Sequence, residues 1–194
     1  MSNLYNYNTM AVERRAKLET LTAIAKTLGL KNPYTEKHSQ DMINNAVKIA
    51  IKLDVPLNLL DNIKYGAILH DIGKLATPDA ILNKRGKLTE EEFAEIKKHP
   101  LVGYELLKNI FEPISDMIKS HHERVDGKGY PSGLKGDDIT LPAKIIAVCD
   151  VYDALISERP YKEPISKNKA ISIIEENTGT HFDSEVVKAF LAVM

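Results

Sequence analysis

His70-Asp71 and His121-His122, two adjacent pairs about fifty residues apart, define the chemistry open to this chain. Five of its six histidines (His38, His70, His99, His121 and His122) fall in one stretch, and Asp150 follows. Five imidazoles and two carboxylates can hold two metal ions side by side. Two cations a few ångströms apart clamp a phosphoester during hydrolysis, because they stabilise both the attacking and the leaving oxygen. Imidazole with carboxylate and no thiolate suits iron, manganese or zinc. The only cysteine, Cys149, reads as a small buried residue, so neither an internal disulfide nor a cysteine zinc site is expected.

Ligands so far apart in the chain need elements that bring them together. Helical periodicity dominates. Val12 to Leu28 is charged and apolar in helical rhythm, with Gly29 as its stop. Thr35 can cap a helix running to about Leu53. Pro56 can open the next, with Leu60, Ile63 and Ala67 on one face, and three residues further that face reaches His70. Pro78 to Leu82 reads as a short turn of helix. Thr89 followed by Glu90, Glu91 and Glu92 is a strong start for a helix ending near His99-Pro100, with another continuing to about Asn109. Pro113 to His122, Pro142 to Ile156 and Ser166 to Asn177 complete the pattern, and Asp183 can cap a last helix. Between them, residues 126–136 hold four glycines and Pro131 and read as a loop. No alternating strand pattern of useful length occurs. The expectation is an all-α bundle with one glycine-rich loop.

These placements bear on the ligands. Neighbours inside a regular helix point about 100° apart. The adjacent pairs escape that constraint by sitting at helix ends, His70-Asp71 just before the breaker Gly73. A carboxylate can bridge two cations, whereas its neighbouring imidazole binds one. If Thr35 is the cap, His38 is the third helical residue, where the helix dipole disfavours imidazolium and keeps the neutral form that a metal requires. Asp150 lies in an apolar helix with no lysine or arginine three or four residues away, so its carboxylate needs a partner and a cation supplies one. His181, just before Asp183, is read as structural.

At 194 residues the chain suits one domain able to bury a core without disulfides. We divide it into residues 1–30, either a connector from a sensor module or a helix packing on the bundle, and residues 31–194. The formal net charge of -1 argues against a polymeric nucleic-acid binder. The first ten residues lack a basic region followed by an apolar run, and no segment is long and apolar enough to span a bilayer. A cytoplasmic location without a membrane partner is expected.

The chain resembles the HD superfamily of metal-dependent phosphohydrolases, and more narrowly the HD-GYP domain. The matching residues are His70-Asp71-Ile72-Gly73-Lys74, His99-Pro100-Leu101-Val102-Gly103, His121-His122-Glu123-Arg124, Asp126 through Leu134 with Gly129-Tyr130-Pro131 at its centre, Asp150 through Leu155, and Arg159-Pro160-Tyr161. The similarity covers roughly residues 30–194. It implies a helical domain that cleaves cyclic di-GMP to the linear dinucleotide pGpG and, in some members, on to GMP. By this resemblance His38, His70, Asp71 and Asp150 would hold one metal. Asp71 would bridge to a second held by His99, His121 and His122. Some members bind a third metal with a glutamate four residues before the first histidine. Here that position is Tyr34, and Glu36 is not its equivalent, so a dinuclear site of iron or manganese is expected.

In that chemistry a water activated by both metals attacks phosphorus in line with the departing ribose oxygen. Lys74 is close enough to reach a non-bridging phosphate oxygen. Gly129 allows close backbone approach to a ligand, and Tyr130 can stack on a guanine. The resemblance suggests phosphate contacts for Arg159 and Lys162, although Arg159 could instead cap its helix. Asp153 is read either as orienting a metal-bound histidine or as a structural acid. Two other functions fit: a phosphodiesterase for another cyclic dinucleotide such as cyclic GMP–AMP, and a low-activity module that binds cyclic di-GMP. An upstream sensor or receiver module, or a diguanylate cyclase, is a compatible partner.

Overall fold

The computed structural model describes residues 12–13, 15–16, 18–20, 22–23 and 36–194 other than 85 and 159–162, with side chains from Gln40 onward in the main segment. The described residues are helical, with no β-structure among them beyond two isolated bridges. The helices are α1 (Glu36–Lys52), α2 (Leu57–Leu69), α3 (Asp79–Leu82), α4 (Glu90–Ile96), α5 (His99–Leu107), α6 (Glu112–Ser120), α7 (Leu141–Ile156), α8 (Lys167–Glu176) and α9 (Ser184–Val193). Short 3-10 turns occupy Ile72–Ala76 and Gly136–Asp138. No helix is long and apolar enough to cross a membrane among these residues.

Two apolar clusters organise the bundle. The larger joins α1, α2, α7, α8 and α9 through Ala46, Ile49, Ile63, Ile146, Ile174 and Phe190, all fully buried. The smaller gathers Leu69, Ile72, Leu107, Ile114 and Ile118, and Leu18 packs against it. Gly66 lets α2 lie tightly on its neighbours: a Cβ there would stand 3.0 Å from both Ile146 Cδ1 and Met117 Sδ.

Helix ends follow local chemistry. Thr89 and Glu92 form a reciprocal capping box at the start of α4. The expectation that this helix runs to His99-Pro100 is corrected: it stops at Ile96, and α5 starts afresh at His99. Pro100 has no N–H to offer the Ile96 carbonyl, so the ladder cannot continue. Gly73 is likewise not the breaker. Helix α2 already ends at Leu69, and Gly73 lies inside the following 3-10 turn. Its small size serves packing, since a Cβ on Gly73 would overlap the His99 carbonyl oxygen and come 2.7 Å from the Gly103 nitrogen. The turn bearing His70-Asp71 is thereby seated directly on the start of α5.

Asp183 caps α9, accepting from the Glu185 and Val186 amides at 3.0 and 3.2 Å, and receives the Lys144 ammonium of α7 at 2.9 Å. Burial opposes its ionisation, but Lys144 and the two amides outweigh that and hold its pKa below the ordinary value. A depressed folded pKa adds stability above the unfolded pKa of about 4, and that stability is lost as pH falls through the folded value. Asp183→Asn keeps a capping side chain and removes the charge. Chemical denaturation should show it about 1 kcal/mol less stable than the parent at pH 7, with the gap closing below about pH 4.

Candidate metal centre

Three histidines are oriented by one device. The Nδ1 atoms of His70, His99 and His121 lie 2.8, 2.8 and 2.6 Å from the carbonyl oxygens of Ala67, Ile96 and Ile118. In each case the acceptor is three residues back and lies in the last turn of a helix, where carbonyls lack intrahelical partners. A carbonyl only accepts, so Nδ1 carries the proton in all three rings. In the neutral imidazole the Nε2 lone pair is then left bare.

Those lone pairs converge. His99 Nε2 and His121 Nε2 stand 3.4 Å apart, and Asp71 Oδ1 lies 3.3 Å from His99 Nε2. None of the three atoms brings a proton, and Asp71 Oδ1 is buried without a hydrogen-bond partner. His70 Nε2 faces Asp71 Oδ2 at 3.4 Å and Asp150 Oδ1 at 3.8 Å. His122 turns its Nδ1 toward Asp150 Oδ2 at 4.0 Å. One ring nitrogen from each of His99, His121 and His122 lies within 4.8 Å of the others. Such a gathering of unshared pairs fits a divalent cation.

The electrostatics agree. Burial pushes His121 and His99 below the ordinary histidine value and takes His122 to about 4, so these rings stay neutral. Burial opposes charge on His70 too, but the carboxylates of Asp71 and Asp150 prevail and raise it to about 9. A proton and a metal ion therefore compete for its Nε2. Desolvation favours neutral Asp71, yet Lys74 and His70 hold its carboxyl well below the usual range. Lys74 Nζ donates to Asp71 Oδ2 at 2.6 Å, so the lysine expected on phosphate here neutralises the carboxylate of the HD pair.

The glycine-rich loop folds back over this centre. Tyr130 N donates to the His122 carbonyl at 3.2 Å, and the Tyr130 ring stacks on the His122 imidazole with centroids 4.7 Å apart. Lys97 Nζ stands 5.4 Å from the centroid of the same tyrosine. The ring expected to receive a guanine thus has a histidine on one face. A Cβ on Gly129 would overlap the Arg124 backbone nitrogen and sit 2.5 Å from Glu123 Cα. Intrachain packing accounts for that glycine without a ligand.

Sequence reasoning gave Glu123 no role. Its side chain is 2% exposed and accepts from the Ser132 and Leu134 amides at 2.7 and 3.1 Å. An acid directly after the histidine pair was the only signal available. His181 contributes its carbonyl, which accepts from Val125 N at 3.3 Å. His38 occupies the third position of α1, but its side chain lies outside the described residues, as do Arg159, Lys162 and Tyr34 and the side chain of Glu36.

Residues 22–186 match the HD domain family, and the chain belongs to that family. Membership implies divalent metal binding. A curated relative, the cyclic di-GMP phosphodiesterase response regulator RpfG of Xanthomonas campestris pv. campestris (strain 8004), is 42% identical over 184 residues, covering 93% of this chain and 48% of the relative. The crystal structure of V-cGAP3, a cyclic GMP-AMP specific phosphodiesterase in V. cholerae, aligns with a TM-score of 0.56 at 35% identity, over 91% of this chain and 41% of that one. Bd1817, an HDG"Y"P protein from Bdellovibrio bacteriovorus, aligns with a TM-score of 0.66 at 21% identity over 80% of this chain and 51% of that one, a likeness of fold alone. The chain spans about half the length of RpfG, or less in other curated relatives.

A ligand that binds only the folded state stabilises it by mass action. Manganese added to metal-free protein at about 100 times its Kd should raise stability by about 2.7 kcal/mol. His121→Ala should remove most of that increment. An equal rise in midpoint for parent and variant would show that the metal binds elsewhere.

Proposed function

We propose that this chain is a metal-dependent phosphodiesterase that hydrolyses cyclic di-GMP to pGpG. The observation that carries this reading is the meeting of His99 Nε2, His121 Nε2 and Asp71 Oδ1 with no proton among them. Identity of 42% to RpfG, named a cyclic di-GMP phosphodiesterase, supports the substrate.

We propose that His38, His70, Asp71, His99, His121, His122 and Asp150 would hold two divalent ions, iron or manganese, with Asp71 as a ligand common to both. Bound divalent cations supply Lewis acidity to the phosphoryl oxygens and to the attacking water. The protein does the rest by placement. Carbonyls of Ala67, Ile96 and Ile118 fix three imidazoles before any ion arrives, so little reorganisation is needed on binding. Lys74, whose Nζ pairs with Asp71 Oδ2 at 2.6 Å, would be placed to donate to a non-bridging phosphate oxygen bound beside that carboxylate. Tyr130, braced on His122, offers its remaining surface to a guanine, and Arg159 and Lys162 are assigned to phosphate.

A second substrate is favoured by a specific likeness, the 35% identity to a structure named as a cyclic GMP-AMP specific phosphodiesterase. Parallel assays with both cyclic dinucleotides decide between them. A sensor or receiver module, or a diguanylate cyclase, is the proposed partner.

Metal analysis of protein purified without oxygen, coupled to product identification, tests the proposal. Two equivalents of iron or manganese and accumulation of pGpG are expected. Asp71→Asn should abolish turnover and lower metal content, a loss beyond the roughly 10- to 100-fold typical of residues that only support a ligand. Hydrolysis at the parent rate by that variant would exclude a shared carboxylate.

A further inference from the structure

We propose that Glu123 is a positioning residue: it clasps the glycine-rich loop so that Tyr130 is held against His122 in the substrate site. The inference rests on the phosphodiesterase reading for its consequence, though not for the clasp itself.

A carboxylate that is almost fully buried must be hydrogen-bonded to be tolerated. Glu123 meets that need through two backbone amides of the loop, Ser132 N on Oε1 and Leu134 N on Oε2. The dependence runs both ways, because without Glu123 those amides lose their acceptor. Two further contacts tie the same stretch to the histidine pair. Tyr130 N donates to the His122 carbonyl, and Gly129 packs on the Glu123 backbone with no room for a Cβ. Glu123 neighbours His122 in sequence, so one short segment presents a histidine of the centre and grips the loop whose tyrosine lies on that histidine. Ordering of the loop is thereby completed before a substrate arrives, and binding need not supply it.

Glu123→Gln preserves size but turns a donor toward one of the two amides. Amide exchange at Ser132 and Leu134 should accelerate at least tenfold in this variant, and the His122 ring proton shifts should lose the displacement caused by the stacked tyrosine. With cyclic di-GMP as substrate, KM should rise about tenfold, the scale of one lost base–aromatic stack, with kcat changed less. The effect should be non-additive with Tyr130→Ala, the double variant resembling Tyr130→Ala alone, as expected for residues acting as one unit. Additive losses would reduce Glu123 to a merely structural acid and overturn the proposal. So would unchanged amide exchange or unchanged His122 shifts, whatever the substrate. If Glu123→Gln fails to fold, Glu123→Asp, which keeps the charge on a shorter arm, takes its place with the same readouts. Failure of the parent enzyme to cleave cyclic di-GMP would instead defeat the functional reading, leaving exchange and ring shifts to decide the clasp.

Discussion

The interaction on which the centre depends is the hydrogen bond from an imidazole Nδ1 to the carbonyl three residues before it. It recurs at the ends of α2, α4 and α6. Each bond solves two problems. It satisfies a carbonyl that helix termination leaves open, and it fixes both the tautomer and the direction of the ring. Because the acceptors are backbone carbonyls at three helix ends, the Nε2 atoms are aimed by the main chain rather than by flexible side chains. Close packing of Gly73 on His99 and Gly103 then brings the Asp71 carboxylate into their midst.

The glycine-rich loop extends that order to the rim. Gly-rich stretches are usually described by their freedom, but this one is tied at several points. Glu123 holds its far side. Asp126 receives Arg124 at 2.7 and 3.0 Å and the Lys128 amide at 3.0 Å. Val125 and Asp126 donate to the carbonyls of His181 and Thr180, which docks the loop on the turn between α8 and α9. His181 therefore acts through its backbone while its ring stacks on Phe182. Gly127 and Gly133 adopt positive φ values of 78° and 68°, the left-handed region that glycine enters without steric cost.

Much of this was legible in the sequence, and the remainder was hidden for physical reasons. Among the described residues, helix period and capping residues located the elements to within a few residues, with Thr89, Ser166 and Asp183 acting as side-chain caps, while the expected stop at Gly29 and cap at Thr35 lie outside those residues. That the HD pair, His99, the histidine pair and Asp150 should lie together is expected from residue type and from the family resemblance, and the structure places them near one another. Which ring nitrogen faces inward could not be read, because it depends on a carbonyl three residues away being left open by a helix end. Gly73 looked like a stop signal, since a glycine needed for tight packing and one needed for a turn are identical in a sequence. Glu123 was invisible as a clasp because its partners are backbone amides, which every residue but proline possesses. The sequence shows Tyr130 only as a ring able to stack on a guanine, whereas its stack on His122 is a tertiary contact without a local signature.

The same geometry explains why a cation, rather than a set of protons, suits the heart of the site. Protons on His99 and His121 are already committed to carbonyls, and a second proton on either ring would create imidazolium where burial opposes it. Asp71 stays ionised beside Lys74, so it brings none. A carboxylate oxygen and two imidazole nitrogens consequently face one another as acceptors, an arrangement that costs free energy wherever water cannot reach. Three helices also end here, and their carboxyl termini carry partial negative charge of about half an electron each, which favours a positive charge nearby. A divalent ion held there would offset the lone-pair repulsion and the uncompensated dipoles together. Lys74 and His70 bring positive charge to Asp71, but both face its Oδ2, which leaves Oδ1 and the two imidazole nitrogens without a donor among them.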